Sequence, residues 1–166
     1  LTKLPKMLEF TTEENEHRDI QNLGLRPNQK FVCLHVRDSA FASQFFNNSN
    51  HQTFRNSHIE TFLNASEVLA NRGYVVFRTG VKVNKKLVSI DPMVVDYATN
   101  GMRSDFLDIY LGAKASFVIS TASGWDSVPT IFRRPILRVN VLPVCAYDNL
   151  SLEGVLVPKV LCDIAC

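Results

Sequence analysis

The sequence lacks the features that would assign it at once to a membrane, a nucleic acid or a metal. No apolar run is long enough to span a bilayer. The net charge is only +2 and there is no long basic run, so a nucleic-acid partner has no electrostatic support. The four cysteines show no Cys-x-x-Cys spacing and the four histidines are scattered, so we expect no metal site and a reducing compartment.

The common catalytic signatures are also missing. The chain contains no GxGxxG, GxxxxGK[ST], HExxH or GxSxG pattern. A Ser-His-Asp set can be drawn from Ser123, His35 and Asp96, but no nucleophile elbow surrounds the serine. The first residues include no initiator Met and lack the order of a signal peptide. We therefore expect a cytoplasmic piece of a longer protein.

What remains is the composition of an ordinary globular domain with alternating strands and helices. Its 166 residues, 46% hydrophobic and 20% charged, suffice for one core, so residues 1–166 are read as a single domain. Apolar, β-branched runs predict strands. These runs are 31–36, 74–77, 93–95, 117–120, 136–139 and 154–157. Helical spacing and capping residues predict helices at 12–23, from Ser57 to Gly73, at 103–113 and from Gly124 to Phe132.

This alternation predicts an α/β fold: a Rossmann-like three-layer domain with a parallel sheet and helices on both faces. Two long connections interrupt it. Residues 39–57 are polar but contain four Phe residues, which favours an ordered loop, and residues 81–92 form a basic loop.

Polar side chains follow four of the predicted strands. They are His35, Arg37 and Asp38; then Arg78 and Gly80; then Asp96 and Tyr97; then Thr121, Ser123 and Gly124. Ligands of open α/β sheets bind beyond the carboxyl ends of the strands. We therefore expect one crevice that contains Arg37, Arg78, Asp96 and Ser123. A guanidinium there suits phosphate, as do small residues before a helix N-terminus. The alternatives are that Arg37 pairs locally to hold a loop and that residues 121–124 are an ordinary turn.

Two further polar triplets stand at the start of predicted helices: Arg55-Asn56-Ser57 and Arg103-Ser104-Asp105. An arginine is electrostatically unfavourable near a helix N-terminus. Both triplets are therefore candidates for facing a ligand or an acidic partner. The alternative is that Arg103 pairs with Asp105 or Asp108.

Several stretches together resemble a family of bacterial proteins that are classed as glycosyltransferases and encoded with surface-polysaccharide genes. The matching stretches are 35–41, 54–59, 73–80, 96–98, 103–111, 117–124, 128–136 and 139–143. The resemblance covers roughly residues 30–145, and residues 103–108 are its most specific part. The His-x-Arg motif at His35 and Arg37 is similar to that of the GDP-fucose-dependent fucosyltransferases.

The resemblance implies the C-terminal, donor-binding half of a GT-B glycosyltransferase. By that similarity Arg37 is the catalytic residue and contacts the β-phosphate of a nucleoside-diphosphate sugar. Ser123 and Gly124 line the phosphate site, and Asp96 lies near the base or ribose. Transfer is inverting and needs neither metal nor cofactor. The acceptor is a glycan or lipid-linked molecule, the location is the cytoplasm at the inner face of the membrane, and the partner is an N-terminal half missing here.

The substrate-binding set predicted from the sequence has fifteen members besides Arg37. They are His35, Asp38, Arg55, Asn56, Ser57, Arg78, Gly80, Asp96, Tyr97, Arg103, Ser104, Asp105, Thr121, Ser123 and Gly124. Two other functions stay open: a nucleotide-sugar-binding module without transfer activity, and a sugar-nucleotide epimerase of similar architecture. An epimerase would need acid and base carboxylates in the crevice, and the sequence does not identify them.

Overall fold

Six parallel strands form a sheet with helices on both faces. The structure, a computed structural model, describes residues 8–15, 18–45, 53–144 and 154–160. The strands are β1 Phe31–His35, β2 Val75–Thr79, β3 Val94–Val95, β4 Phe117–Ser120, β5 Ile136–Val141 and β6 Gly154–Pro158. The helices are α1 Thr12–Asn15, α2 Arg18–Asn22, α3 Ser39–Phe45, α4 Leu63–Asn71, α5 Asp105–Lys114 and α6 Ser127–Ile131. Short 3-10 turns precede α4 and α6, at Ile59–Phe62 and Gly124–Asp126.

The strand order is β3-β2-β1-β4-β5-β6, and every neighbouring pair is parallel. This is the order of a doubly wound, Rossmann-like sheet, in which the order of the strands reverses between β1 and β4. The α/β fold class and the parallel sheet predicted from the sequence are therefore confirmed. No helix in the described ranges is long and apolar enough to cross a membrane.

Strand β1 lies inside the sheet because its side chains serve two cores. Phe31 and Cys33 belong to the core that packs against α5, whereas Val32 and Leu34 belong to the core that contains Ile59–Phe62. A strand that is apolar on both faces is typical of a sheet covered on both sides. The position of β1 inside the sheet thus explains why its sequence is an unbroken apolar run.

The sequence places capping residues at Thr11, with Glu14 three residues on, and at Ser104, and both caps form. Thr11 and Glu14 make a reciprocal capping box: the Thr11 N–H donates to the Glu14 carboxylate at 2.8 Å, and the Glu14 N–H donates to Thr11 Oγ1 at 3.2 Å. Ser104 caps α5, since its Oγ accepts from the Leu107 N–H at 3.2 Å.

Two local expectations are wrong. Residues 39–45 form helix α3 rather than a loop, because Asp38 Oδ1 accepts the Ala40 N–H at 2.8 Å and starts the helix. Residues 46–52 of the expected loop lie outside the described residues. Ser57 does not open a helix: the 3-10 turn begins at Ile59 and has no side-chain cap. Residues 53–55 form a further 3-10 turn.

The apolar spacing within 103–113 predicts that Phe106, Ile109, Tyr110 and Ala113 share one face of a core helix. The buried residues of α5 are instead Leu107, Leu111, Gly112 and Ala113. Ile109 is 45% exposed. Phe106 and Tyr110 lie at the flank of the helix, where both rings meet Phe10 edge to face. Part of the apolar pattern of α5 therefore comes from aromatic packing between Phe10, Phe106 and Tyr110 at the flank of the helix.

Candidate functional site

Arg37 lies two residues beyond β1, where the order of the strands reverses. Its N–H donates to Thr121 Oγ1 at 2.7 Å, and its carbonyl accepts from the Ser57 N–H at 2.9 Å. Its Nε approaches Asn56 Oδ1 at 3.4 Å. The backbone of Arg37 is thus fixed from two sides, and this holds the residue at the carboxyl edge of the sheet, next to the loop after β4.

Residues 54–57 form a short segment, called here the bridging segment, that contacts the ends of several strands. Arg55 Nη2 donates to the carbonyl of Ala122, after β4, at 3.4 Å. Asn140 Nδ2 donates to Ser57 Oγ at 3.3 Å. Asn140 has φ +57° and lies in β5 where the register with β6 shifts. Such a bulge redirects a side chain, and here it directs Asn140 to the bridging segment.

Lys159 holds the same segment from the far edge of the sheet. It directly follows β6, and its Nζ donates to the carbonyl of Phe54 at 2.9 Å and to that of Asn56 at 2.7 Å. Neither Lys159 nor Asn140 is among the site residues predicted from the sequence. Both nevertheless fit the rule by which the other site residues were predicted, that a polar residue lies at the carboxyl end of a strand.

The loop 121–124 closes the other side of Arg37. The Thr121 N–H donates to the His35 carbonyl at 3.0 Å, and Ala122 adopts the left-handed conformation with φ +64°. Ser123 Oγ accepts from the Trp125 N–H at 3.1 Å, so its O–H remains able to donate. A Cβ added at Gly124 would meet no atom within 4 Å, so the space beside this exposed residue is open.

A buried ion pair supports this loop from below. Asp126 Oδ2 lies 3.0 Å from Arg138 Nε, and both side chains are 7% exposed. Ser120 Oγ donates to Asp126 Oδ1 at 2.5 Å and accepts from the Ala122 N–H at 3.1 Å. Burial raises the pKa of Asp126, against the lowering effects of Ser120 and Arg138. The pair ties the turn after β4 to β5.

His35, the last residue of β1, is held as a neutral imidazole. Its Nδ1 lies 3.0 Å from Thr79 Oγ1, and its ring stacks on Trp125 with centroids 4.9 Å apart. Burial lowers the pKa of His35 to about 4, and the charge of Arg78 contributes. The residue as a whole is half-buried.

Arg78 and Asp96 lie beneath the carboxyl edge. Strand β2 runs to Thr79, so Arg78 is inside the strand and fully buried, with Nη1 3.1 Å from Asp96 Oδ1. Asp96 Oδ2 accepts from the Leu87 N–H at 3.0 Å and from Thr99 Oγ1 at 2.7 Å. Within the described chain, Arg78 Nε and Nη2 have no partner. The pair organises residues 87–99, and direct ligand contact by either residue stays a prediction.

The second triplet forms a cluster at the start of α5. Arg103 Nη2 lies 2.9 Å from carboxylate oxygens of both Asp105 and Asp108, which is the alternative that the sequence left open. The hydroxyl of the buried Tyr97 donates to Asp108 Oδ1 at 3.1 Å. Burial raises the pKa of Tyr97. Ser104 Oγ donates to Asp19 Oδ2 at 2.9 Å. These contacts explain the residues structurally, and a binding role for them stays a prediction.

Asp38 and Gly80 fix the loop after β2. Asp38 Oδ2 accepts from the Asn84 N–H at 2.8 Å. Gly80 has φ +155°, and a Cβ there would lie 2.8 Å from Val83 Cγ1. Both residues therefore help to fix the backbone conformation of this loop. In the part of the chain that the structure describes, no group of three or more His, Cys, Asp or Glu side chains is placed to hold a metal ion.

Comparison of the chain with protein-family models, with curated proteins and with solved structures finds no match. The class of protein is therefore defined by the structure itself. It is a Rossmann-like α/β domain at whose carboxyl edge Arg37 and Lys159 contact the bridging segment, and Arg55 of that segment contacts the loop 121–124.

Proposed function

We propose that this chain is the donor-binding domain of a glycosyltransferase that uses a nucleoside-diphosphate sugar. The observation that carries the proposal is the position of Arg37. It lies where the strand order reverses, its backbone is held by Thr121 and Ser57, and its side chain lies against Asn56. Ligands of such sheets bind at this point. Because the backbone of Arg37 is fixed by these contacts, its guanidinium is preorganised to bind a diphosphate.

The neighbouring loop adds donors of the right kind. The Ser123 O–H is able to donate, and the space beside Gly124 is open, so an anion has access to both residues. In the proposed reaction the acceptor oxygen displaces the nucleoside diphosphate from the anomeric carbon. Arg37 offsets the negative charge that develops on the leaving phosphate, which stabilises the transition state. The acceptor is a glycan or a lipid-linked sugar.

The base that deprotonates the acceptor comes from the other half of the enzyme in this proposal. Three acidic residues that follow β1, β3 and β4, namely Asp38, Asp96 and Asp126, each accept hydrogen bonds through both carboxylate oxygens. Engaged carboxylates are poor candidates for acid and base work, which argues against an epimerase. The same observation favours the second candidate, a nucleotide-sugar-binding module without transfer activity.

Nucleotide binding tests the proposal directly. Calorimetric titration of the chain with a panel of nucleoside diphosphates should reveal one that binds and that also raises the melting temperature. Arg37→Ala should weaken that binding by about 2 kcal/mol, the contribution of one charge-assisted contact. Arg37→Lys should recover part of the loss, because the charge returns without the planar fork.

Arg72→Ala is the matched control, because Arg72 is an exposed arginine at the end of α4 and before β2. It should leave affinity unchanged. If Arg37 only anchors its loop, Arg37→Ala will instead lower the melting temperature of the unliganded chain and leave nucleotide affinity nearly intact. Turnover by the full-length enzyme, with a further loss of about 2–4 kcal/mol of transition-state stabilisation in Arg37→Ala, separates a transferase from a binding module.

A further inference from the structure

We propose that Lys159 is a further phosphate-binding residue and that the diphosphate of the donor extends from Arg37 to Lys159 across the bridging segment. The inference rests on the proposed function and adds a residue of β6 to its site. Asn56 connects the two cations: its carbonyl oxygen accepts from Lys159 Nζ at 2.7 Å, while its side-chain oxygen lies 3.4 Å from Arg37 Nε.

The surroundings of the Lys159 ammonium suit an anion. Its hydrogen bonds among the described residues go to two carbonyl oxygens, those of Phe54 and Asn56, and it forms no ion pair there. An ammonium has three N–H donors, so one remains for a ligand. Lys159 is half-buried, and a partly desolvated cation without a carboxylate partner is stabilised when an anion binds.

The position of Lys159 is fixed by the sheet. Its N–H donates to the Val141 carbonyl at 3.1 Å, which continues the pairing of β5 and β6. Its stem is therefore anchored at the same carboxyl edge as Arg37. Beside it, Asn140 holds Ser57 through the bulge in β5. Lys159 is thus prepared to act together with the bridging segment rather than as a mobile surface lysine.

A set of three substitutions separates charge from tethering. Lys159→Gln keeps N–H donors for the two carbonyl oxygens but removes the charge, Lys159→Arg keeps the charge, and Lys159→Ala removes both. The probes are inorganic pyrophosphate and the nucleoside diphosphate that binds the wild-type chain best. Both are titrated by calorimetry, and the melting temperature of each unliganded variant is measured as well.

We expect Lys159→Gln and Lys159→Ala to weaken binding of both probes at least about tenfold, the effect of losing one charge-assisted hydrogen bond. Lys159→Arg should stay close to wild type, and Lys159→Gln should keep the wild-type melting temperature. Lys30→Gln, at an exposed lysine just before β1, removes the same charge far from this edge and should change nothing.

Wild-type affinity in Lys159→Gln overturns the inference, whether or not Lys159→Ala unfolds at a lower temperature. In that case Lys159 only tethers the bridging segment, and the proposed function stands if Arg37→Ala still weakens binding. If the wild-type chain binds neither pyrophosphate nor any nucleoside diphosphate, the proposed function itself fails. The two failures are therefore distinguishable in one experiment.

Discussion

The neutral His35 makes a pH-dependent contribution to stability that can be isolated by one substitution. In the unfolded chain a histidine takes up a proton near pH 6.5, whereas burial and Arg78 delay protonation of the folded protein until about pH 4. Between these values the unfolded state binds more protons. The free energy of unfolding therefore falls as the pH is lowered from 6.5 to 4, and His35 contributes no further loss below that.

The size of the effect follows from the difference between the two pKa values. Each pKa unit corresponds to about 1.4 kcal/mol, and the residue keeps some contact with solvent, so we expect about 1–3 kcal/mol. His35→Gln keeps a donor for Thr79 and does not titrate. Urea unfolding at pH 7 and pH 4.5 should show a larger loss of stability in wild type than in His35→Gln, by this amount.

The fluorescence of Trp125 should report the protonation of His35 directly. It is the only tryptophan in the chain, and it stacks on His35 with an interplanar angle of 15°. A protonated imidazole quenches indole fluorescence, so the native wild-type protein should lose emission with a midpoint near pH 4, and His35→Gln should not. A midpoint near pH 6.5, or equal acid sensitivity of the two proteins, would refute the reasoning.

Two further predictions concern the ion pair between Arg78 and Asp96 and the dependence of binding on metal. Asp96→Asn leaves the charge of the fully buried Arg78 without its partner and should destabilise the fold by about 3–5 kcal/mol in urea unfolding, while Asp105→Asn, at a 95% exposed side chain, should have no measurable effect. Equal losses would show that burial is not the cause. Treatment with EDTA should leave nucleotide affinity unchanged, and a loss that Mg²⁺ or Mn²⁺ restores would contradict a metal-independent site.

The sequence predicted the strands because each contains a short apolar run, which in β1 is buried on both faces of the sheet. It could not predict where β2 ends, since that end depends on pairing with β1, where Arg78 lies opposite Leu34. For this reason the sequence places Arg78 after β2, whereas in the structure it lies within the strand and is fully buried. The start of α3 was missed because its signal is a single carboxylate, that of Asp38.

Part of the candidate site could likewise be predicted from the sequence, and part could not. The rule that ligands meet the carboxyl ends of parallel strands selected Arg37 and Thr121, which the fold brings into direct contact. Applied to the last predicted strand, the same rule would have selected Lys159. It was overlooked because no motif surrounds it and because strand order, which brings β6 to the bridging segment, depends on contacts between distant parts of the chain.

The inner position of β1 has a consequence for how this protein folds as it is synthesised. His35 and Thr79 are 44 positions apart in the sequence, and Arg37 and Thr121 are 84 positions apart. Such separations favour slow folding, because the loops must close before the contacts that reward them can form. Until synthesis has passed Ser120, β1 lacks its neighbour β4 on one side, an open apolar edge that invites aggregation. The carboxyl edge of the sheet around Arg37 is therefore among the last parts of the described fold to form.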